Sequence, residues 1–529
     1  MKFKYIFFSV LLFSLTSCET DVEDPTAVVP PAPYVGDSGS ADFSSYVSLG
    51  ASNASGFMDN SLFIAGQLNS FPNILAGVMS QAGGGEFTQP YVADNVGGMT
   101  VSGNEVAGER FFFSTQAFVP QGASGAITTE ALDFQPGPYS NMSFPFVSAI
   151  HMVAPGYGNP AGLATVPATA NPWFVRAASN PSARIIDDVL VQSPSFVTLV
   201  PGDDFNQWAL FGGPSEEVTL GGATGMVAGV QAVIGALAAN VDAGVITTLP
   251  DPSITPTFTA IPWNPIPLDA ATAAQLNAVF NNADPSQGDL GYNAILQLAA
   301  ALYNVECLSG IQAAGGNFVP ADCDDAASVP IPNPFFQAIS PEEAGVRTIV
   351  YVEGNNPVLI VDENLTALST PLGDIPQLRQ TTENDRISFG ASALLGTVLN
   401  NDPNQVWGVS VPAPDVRILT ADEIATLRSQ LATANDLISS SVPDGWALFD
   451  LAGLYEEVVT TGITMDTYTM TSDYALGGFF GLDGYYPTAR GNALIAKRMM
   501  EAIDAVWGSN LSDSGLSIGD FPTNFPDGI

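Results

Sequence analysis

The stretch "GMVAGVQAVIGALAANVDAGVITTLP" (residues 225–250) joins a long apolar helix to a short apolar run that ends at a proline. A short apolar run bounded by turn residues is typical of a strand that is buried on both faces. A helix that leads directly into such a strand is the repeating unit of α/β proteins. This stretch therefore predicts part of a parallel sheet covered by helices.

The same alternation appears in other parts of the chain. Short apolar runs in "SSYVSLG" (44–50), "SFVTLVPG" (195–202) and "WALFDL" (446–451) predict further strands. Apolar residues at helical spacing in "PSARIIDDVLVQ" (181–192) and "ADEIATLRSQLATANDLISSS" (421–441) predict helices between them. The sequence therefore predicts an α/β fold in which a parallel sheet is covered on both faces.

The alternation is interrupted between residues 251 and 390. This segment contains Pro-rich turns, a predicted helix near 269–282, and "RTIVYVEGNNPVLIVDENL" (347–365). Two apolar runs on either side of "GNNP" predict a β-hairpin. We therefore expect a core whose first part is 44–250 and whose C-terminal part is 391–529, with an insertion at 251–390.

The N-terminus has the pattern of an export signal. Two lysines precede an apolar run, residues 5–15, that is too short to span a bilayer. Small residues that end in Cys18 resemble a lipobox, so we expect a signal peptide at 1–17 and acylation of Cys18. Ordinary secretory cleavage is the alternative. Residues 18–43 are acidic and then rich in Pro, Gly and Ser, which predicts an extended tether.

The charge balance is strongly acidic, with 53 Asp and Glu residues against 13 Lys and Arg residues. A field of this sign repels nucleic acid, so we expect no nucleic-acid partner. The acidic composition is compatible with two explanations: solubility in a salty habitat, or binding of cations or basic partners. Besides Cys18 the chain has Cys307 and Cys323, and an exported compartment favours a disulfide between them.

Four short blocks carry polar residues beside predicted turns: "GASN" (50–53), "NMSFPF" (141–146), "GDDF" (202–205) and "DGYY" (483–486). Together with longer pieces such as "LDGYYPTARGNALIA" (482–496), they resemble the SGNH or GDSL-type hydrolases, in particular a subgroup of outer-membrane lipoproteins. The resemblance covers nearly the whole mature chain. It implies a flavodoxin-like three-layer core and an ancestry among enzymes that cleave esters and acyl groups.

The resemblance assigns a role to one residue in each of the first three blocks and to two residues in the last. It retains Ser52 as the nucleophile and Asp483 as the catalytic aspartate. It also identifies three replacements: Tyr486 for the catalytic histidine, Asp204 for the oxyanion-binding asparagine, and Ser143 for the oxyanion-hole glycine. The residues that we expect to line the site are Gly50, Asn53, Asn141, Gly202 and His151.

These replacements remove the groups that the reaction needs. A serine hydroxyl is a weak nucleophile until a base takes its proton, and tyrosine, with a pKa near 10, is protonated at neutral pH. An ionised aspartate only accepts hydrogen bonds, so it repels an oxyanion. His151 is the only histidine and is either an alternative base or a structural residue. Ser52 could instead cap a helix, and Asp483 could bond loop amides.

The resemblance and the replacements together predict a catalytically inactive lipoprotein of the outer membrane, possessing no cofactor or metal. Its partners would be the membrane, through Cys18, and either an acyl or small-molecule ligand in the old cleft or an outer-membrane β-barrel. A weakly active serine esterase that uses Ser52 is the alternative.

Overall fold

A computed structural model describes residues 34–114, 119–213, 225–283, 290–301, 339–370 and 373–529. The expected signal peptide, Cys18 and most of the tether lie outside these residues. Cys307 and Cys323 also lie outside them, so the expected disulfide stays a prediction.

A parallel sheet of five strands forms the centre of the molecule. Its strands are β1 (Tyr46–Gly50), β2 (Asn141–Ser143), β3 (Phe196–Leu199), β4 (Gly244–Thr247) and β5 (Ala447–Phe449). Every neighbouring pair is parallel, and the spatial order is 2-1-3-4-5. This order is that of flavodoxin-like doubly wound sheets. The prediction of an α/β fold built on a parallel sheet is confirmed.

Helices cover both faces of the sheet. In chain order, the helices that cover the sheet or begin beside the carboxyl ends of its strands are α1 (Ser52–Ser55), α2 (Phe71–Met79), α3 (Ile185–Leu190), α4 (Asp204–Leu210), α5 (Met226–Ala238), α6 (Ala421–Ser440), α7 (Leu451–Thr460) and α8 (Ala489–Trp507). Residues of α3, α5 and α6 pack in one core cluster. Residues of α2, α7 and α8 pack in a second cluster.

The strands supply both clusters because successive side chains of a strand point to opposite faces. In β3, Val197 and Leu199 belong to the first cluster, whereas Phe196 belongs to the second. In β4, Ile246 belongs to the first cluster and Val245 to the second. This two-sided burial explains why the strands appear in the sequence as continuous apolar runs.

The interrupting segment, taken from here on as the chain between β4 and α6, has a core cluster of its own, drawn from residues between Ile266 and Ile418. Its antiparallel pairs are Ile266–Leu268 with Gly354–Asn356, Leu359–Val361 with Leu378–Gln380, Leu368–Thr370 with Gly373–Ile375, and Arg386–Ile387 with Ile418–Leu419. Its helices include Ala270–Phe280, Pro341–Arg347 and Phe389–Ser392, and residues 292–301 are also helical.

The predicted hairpin around "GNNP" is wrong, because the two strands beside it pair with different partners. Gly354–Asn356 pairs with Ile266–Leu268, and Leu359–Val361 pairs with Leu378–Gln380. Between them, Pro357 has no N–H with which to close a turn. The side chain of Asn356 instead accepts the Val352 N–H at 2.8 Å and so bends the preceding chain.

The remaining elements are short. Helices span Ile64–Leu68, Pro172–Ala177 and Pro256–Thr259, and strand pairs join Met99–Val101 to Asn104–Ala107, Phe111–Ser114 to Val119–Gly122, and Ile463–Met465 to Tyr468–Met470. A 3-10 turn at Ala149–Met152 follows β2. Within the described residues, no helix combines the length and apolar character that crossing a membrane requires.

Candidate functional site

The site lies at the carboxyl ends of β1, β2 and β3. Ser52 follows β1, Phe146 follows β2, and Asp203 follows β3, and hydrogen bonds join all three. In the strand order 2-1-3-4-5, the gap between β1 and β3 is the point where the winding of the sheet reverses. Ligands of open α/β sheets bind beside the carboxyl ends of strands at this point.

Ser52 is fully buried and is the first residue of α1. Its hydroxyl donates a hydrogen bond to Oδ2 of Asp203, and its backbone N–H donates to the same oxygen at 3.0 Å. The N-cap of α1 is Ala51 rather than Ser52. The Ser52 hydroxyl therefore faces the site and does not cap the helix.

Phe146 supplies a second backbone donor that the sequence did not identify. Its N–H lies 3.1 Å from Oγ of Ser52 and 3.1 Å from Oδ2 of Asp203. The residue has a φ of +60°, which is rare for a bulky side chain and turns its N–H into the site. Two backbone amides and the serine hydroxyl thus converge on one carboxylate oxygen.

This convergence has the donor set of an oxyanion hole, and the carboxylate of Asp203 fills it. The sequence did not predict Asp203 as a site residue, because aligning "GDDF" with the family motif placed Asp204 at the asparagine position. Asp204 instead accepts the N–H of Ala149 at 2.8 Å and so fixes the turn after β2. The sequence does show two adjacent aspartates in "GDDF", but their spacing alone does not indicate which of them faces Ser52.

Asn206, also unpredicted, completes the environment of Asp203. Its Nδ2 donates to Oδ1 of Asp203 at 3.0 Å. All these donors are neutral, and none of the ion pairs in the described part of the chain includes Asp203 or Asp204. Burial therefore raises the pKa of Asp203 to about 6 and that of Asp204 to about 7.

Tyr486 occupies a dry position near the serine. Its ring contacts Phe57 edge to face, with centroids 5.3 Å apart. Its phenol oxygen is buried near Ser52 and Asn206 but makes no well-formed hydrogen bond with any described residue. Burial, followed by the charge of Asp203, raises its pKa well above the usual value. The phenol is therefore unable to act as a base at neutral pH.

Asp483 is held by loop amides. It accepts the N–H groups of Tyr485 at 2.6 Å, Tyr486 at 2.8 Å and Asn60 at 3.0 Å. In return, Asp59 of the facing loop accepts the N–H of Leu482 at 2.7 Å. The two carboxylates therefore tie the loop before α8 to the loop after α1.

His151 lies in the turn after β2, where it stacks on Tyr157 with ring centroids 4.3 Å apart. Its Nδ1 is buried and makes no hydrogen bond to any described residue, and burial lowers its pKa. None of the hydrogen bonds of Ser52 reaches this imidazole. His151 is therefore a neutral ring in an aromatic stack.

The other predicted lining residues support the turns around the site. Asn53 accepts the hydroxyl of Tyr455 at 3.0 Å, and Asn141 donates to the carbonyl of Ala54 at 3.1 Å. The hydroxyls of Ser143 and Ser48 lie 3.4 Å apart on neighbouring strands, so Ser143 faces β1. Two glycines allow close approach: a Cβ at Gly50 would meet Val200 at 3.0 Å, and Gly202 has a φ of +108°.

An apolar pocket of about 530 Å³ adjoins the site. Phe146, whose backbone N–H bonds to Ser52, lines this pocket together with Phe57 and Trp173, and its ring contacts both of theirs. The remaining lining residues are Asn60, Val101, Val106, Ala107, Gly108, Leu163, Ala168, Ala170, Pro172 and Phe211. None of these described side chains is charged, so the pocket suits an apolar group.

Comparison with known proteins gives no further assignment. No protein-family model matches the chain, and searches of curated proteins and of solved structures found no match either. The fold and the site define an α/β protein with a buried Ser–Asp contact at the switch point of its sheet.

Proposed function

We propose that this chain is a catalytically inactive relative of the SGNH hydrolases that binds an uncharged, acyl-bearing ligand in the pocket beside Ser52. The observation that carries this proposal is the position of Asp203 Oδ2, which accepts both backbone amides and the serine hydroxyl. An oxyanion formed on a substrate would have to displace this carboxylate. The ionised form of Asp203 would also repel that negative charge.

The second support is that neither Tyr486 nor His151 is placed and charged to act as the base for Ser52. The phenol of Tyr486 stays protonated, and none of the hydrogen bonds of Ser52 reaches the His151 imidazole. Loss of a triad member leaves roughly 10³- to 10⁴-fold acceleration over water, far below a working enzyme. Binding without turnover is the function that remains for an apolar pocket in this position.

Location and partners extend the proposal from the sequence. A lipid anchor at Cys18 and an extended tether would hold the domain beside the outer membrane. An accessory role beside an integral β-barrel follows from that placement, with an acyl-bearing ligand passed between the two. Pull-down from detergent-solubilised outer membrane tests this part, and recovery of no stoichiometric partner would count against it.

A weak serine esterase is the second candidate, and the contact between Ser52 and Asp203 favours it. A carboxylate whose pKa is raised to about 6 is a stronger base than an ordinary aspartate, and Asp203 already accepts a hydrogen bond from the serine hydroxyl. The same oxygen blocks the oxyanion position, however. For this reason we favour ligand binding without catalysis over ester hydrolysis.

Ester hydrolysis by the purified mature chain separates the two candidates. We expect Ser52→Ala to leave the slow hydrolysis of an activated butyrate ester unchanged, and a fluorophosphonate to leave Ser52 unlabelled. Hydrolysis that falls to background in Ser52→Ala would establish the esterase instead.

Binding is tested with a fluorescent monoacylglycerol. Val106→Asp places a charge in the pocket at a side chain that is 53% exposed, and should abolish binding. Val346→Asp, at an equally exposed valine elsewhere, is the control.

A gain-of-function variant tests the ancestry. The double change Tyr486→His and Asp203→Asn supplies an imidazole near Ser52 and turns the blocking carboxylate into a side chain that can donate. Because each lost oxyanion donor costs about 10²- to 10³-fold, we expect Ser52-dependent hydrolysis to rise by at least about 100-fold.

A further inference from the structure

A second pocket lies in the interrupting segment and has a volume of about 860 Å³, larger than the pocket beside Ser52. One wall is a single face of the helix Ala270–Phe280, which presents Thr272, Leu276 and Val279 at helical spacing. The strand Ile266–Leu268 and the chain between 392 and 410 form the other walls.

No described residue that lines this pocket is charged. The chain has 53 acidic residues, yet none of the 18 described lining residues is Asp, Glu, Lys or Arg. Apolar side chains dominate, and Gln275, Asn404 and Ser410 supply uncharged hydrogen-bonding groups. A ligand with a formal charge would find no counter-ion here and would have to lose its hydration, which is costly.

The apolar surface in this pocket is left open rather than packed. Val279 is 68% exposed, and Leu276 and Leu395 are only half-buried although they line a concavity. Pockets of roughly 300 to 1,000 Å³ that are mostly apolar with a few polar groups are typical of small-molecule sites. The two pockets have no described lining residue in common.

We propose that this pocket is a separate binding site for an uncharged, apolar small molecule. It needs neither Ser52 nor the proposed acyl ligand. Its polar groups would orient a carbonyl, ether or hydroxyl of the ligand while the apolar walls bury the rest.

Titration of the mature chain with the neutral dye N-phenyl-1-naphthylamine tests the proposal. Val279→Asp puts a charge at an exposed lining position, and Gln275→Trp fills the pocket without adding charge; both residues are exposed, so folding should survive. We expect each change to weaken one saturable site by about 10-fold or more. The control Val346→Asp should bind the dye like the parent chain.

An anionic naphthalene sulfonate should bind this site at least about 10-fold more weakly than the neutral dye. Equal dye binding by Val279→Asp, Gln275→Trp and Val346→Asp would overturn the proposal, whatever Val106→Asp does. Loss of dye binding in Val106→Asp alone would also overturn it, because the dye would then occupy only the pocket beside Ser52. The function proposed for that pocket is judged by Val106→Asp, so the two can fail separately.

Discussion

Buried carboxylates are handled differently at the end of the central sheet and in the interrupting segment. In the segment, Arg379 pairs with Asp362 at 2.6 Å and with Asp385 at 2.8 Å, and all three side chains are nearly buried. Burial alone would raise the pKa of Asp385, but Arg379 holds it below its usual range. At the sheet, Asp203 is equally buried and has only neutral donors, so its pKa rises to about 6.

The difference shows what a cation does for a buried acid. The ion pairs of Arg379 join strands of the segment, so there the charge is part of the architecture. Ionised Asp203 is tolerated only because two amides, a hydroxyl and Asn206 surround it. These donors stabilise the carboxylate of a side chain without any cation.

Removal of the Arg379 cation should cause the largest loss in the free energy of unfolding. Arg379→Met leaves two buried carboxylates without a cation, and breaking a buried ion pair in this way costs about 3–5 kcal/mol. We expect the free energy of unfolding in urea to fall by that amount. Arg428→Met is the matched control, because Arg428 is 49% exposed and its pair with Asp251 should contribute about 0–1 kcal/mol. Equal losses in the two variants would contradict the comparison.

The second prediction concerns the pH dependence created by Asp203. The folded chain holds this proton more tightly than the unfolded chain, where the pKa is about 3.9. Stability from this group is therefore present below pH 4 and is lost as the pH rises through about 6. The loss amounts to about 3 kcal/mol. Asp203→Asn cannot ionise and should remove that part of the pH dependence.

Thermal unfolding between pH 4 and pH 8 measures this effect. The parent chain should lose more stability across the range than Asp203→Asn does. Asp436→Asn, at an exposed carboxyl, should behave like the parent chain. If Asp203→Asn kept the full pH dependence, the carboxyl would have to be better solvated than its buried position indicates.

The third prediction separates a structural from a catalytic role for Asp483. Asp483→Ala leaves the N–H groups of Asn60, Tyr485 and Tyr486 without their acceptor. We expect a loss of about 1–3 kcal/mol in the free energy of unfolding. Asp483→Asn, which keeps one acceptor oxygen, should lose less. A variant with unchanged stability would show that water replaces the carboxylate and that the loops are not tied through it.

Much of the central sheet could be predicted from the sequence because buried parallel strands leave continuous apolar runs. β1, β3, β4 and β5 each fall inside a predicted strand. β2 has only three residues, two of them polar, and its neighbourhood was chosen through the resemblance alone. The failed hairpin shows the limit: two adjacent strands do not reveal whether they pair with each other or with distant partners.

The convergence of donors on Asp203 could not be predicted from the sequence. It depends on the backbone of Phe146 at a φ of +60° and of Gly202 at a φ of +108°, which together bring an amide and a carboxylate to Ser52. A phenylalanine gives no signal of a left-handed conformation. The adjacent aspartates also have different partners, and only the turn after β3 decides which of them faces the serine.

We expect the smallest change in stability when the Tyr486 hydroxyl is removed, and the same substitution at Tyr455 provides the comparison. The Tyr486 hydroxyl is buried without a well-formed hydrogen bond, so Tyr486→Phe removes a group that has already lost its hydration. We expect a stability change within about 0.5 kcal/mol, or a slight gain. Tyr455 lies in the same region, but its hydroxyl donates to Asn53 at 3.0 Å. Tyr455→Phe should therefore cost about 1–2 kcal/mol. Equal costs for the two variants would mean that the Tyr486 phenol is bonded to Ser52 or Asn206, and that the serine has a second partner besides Asp203.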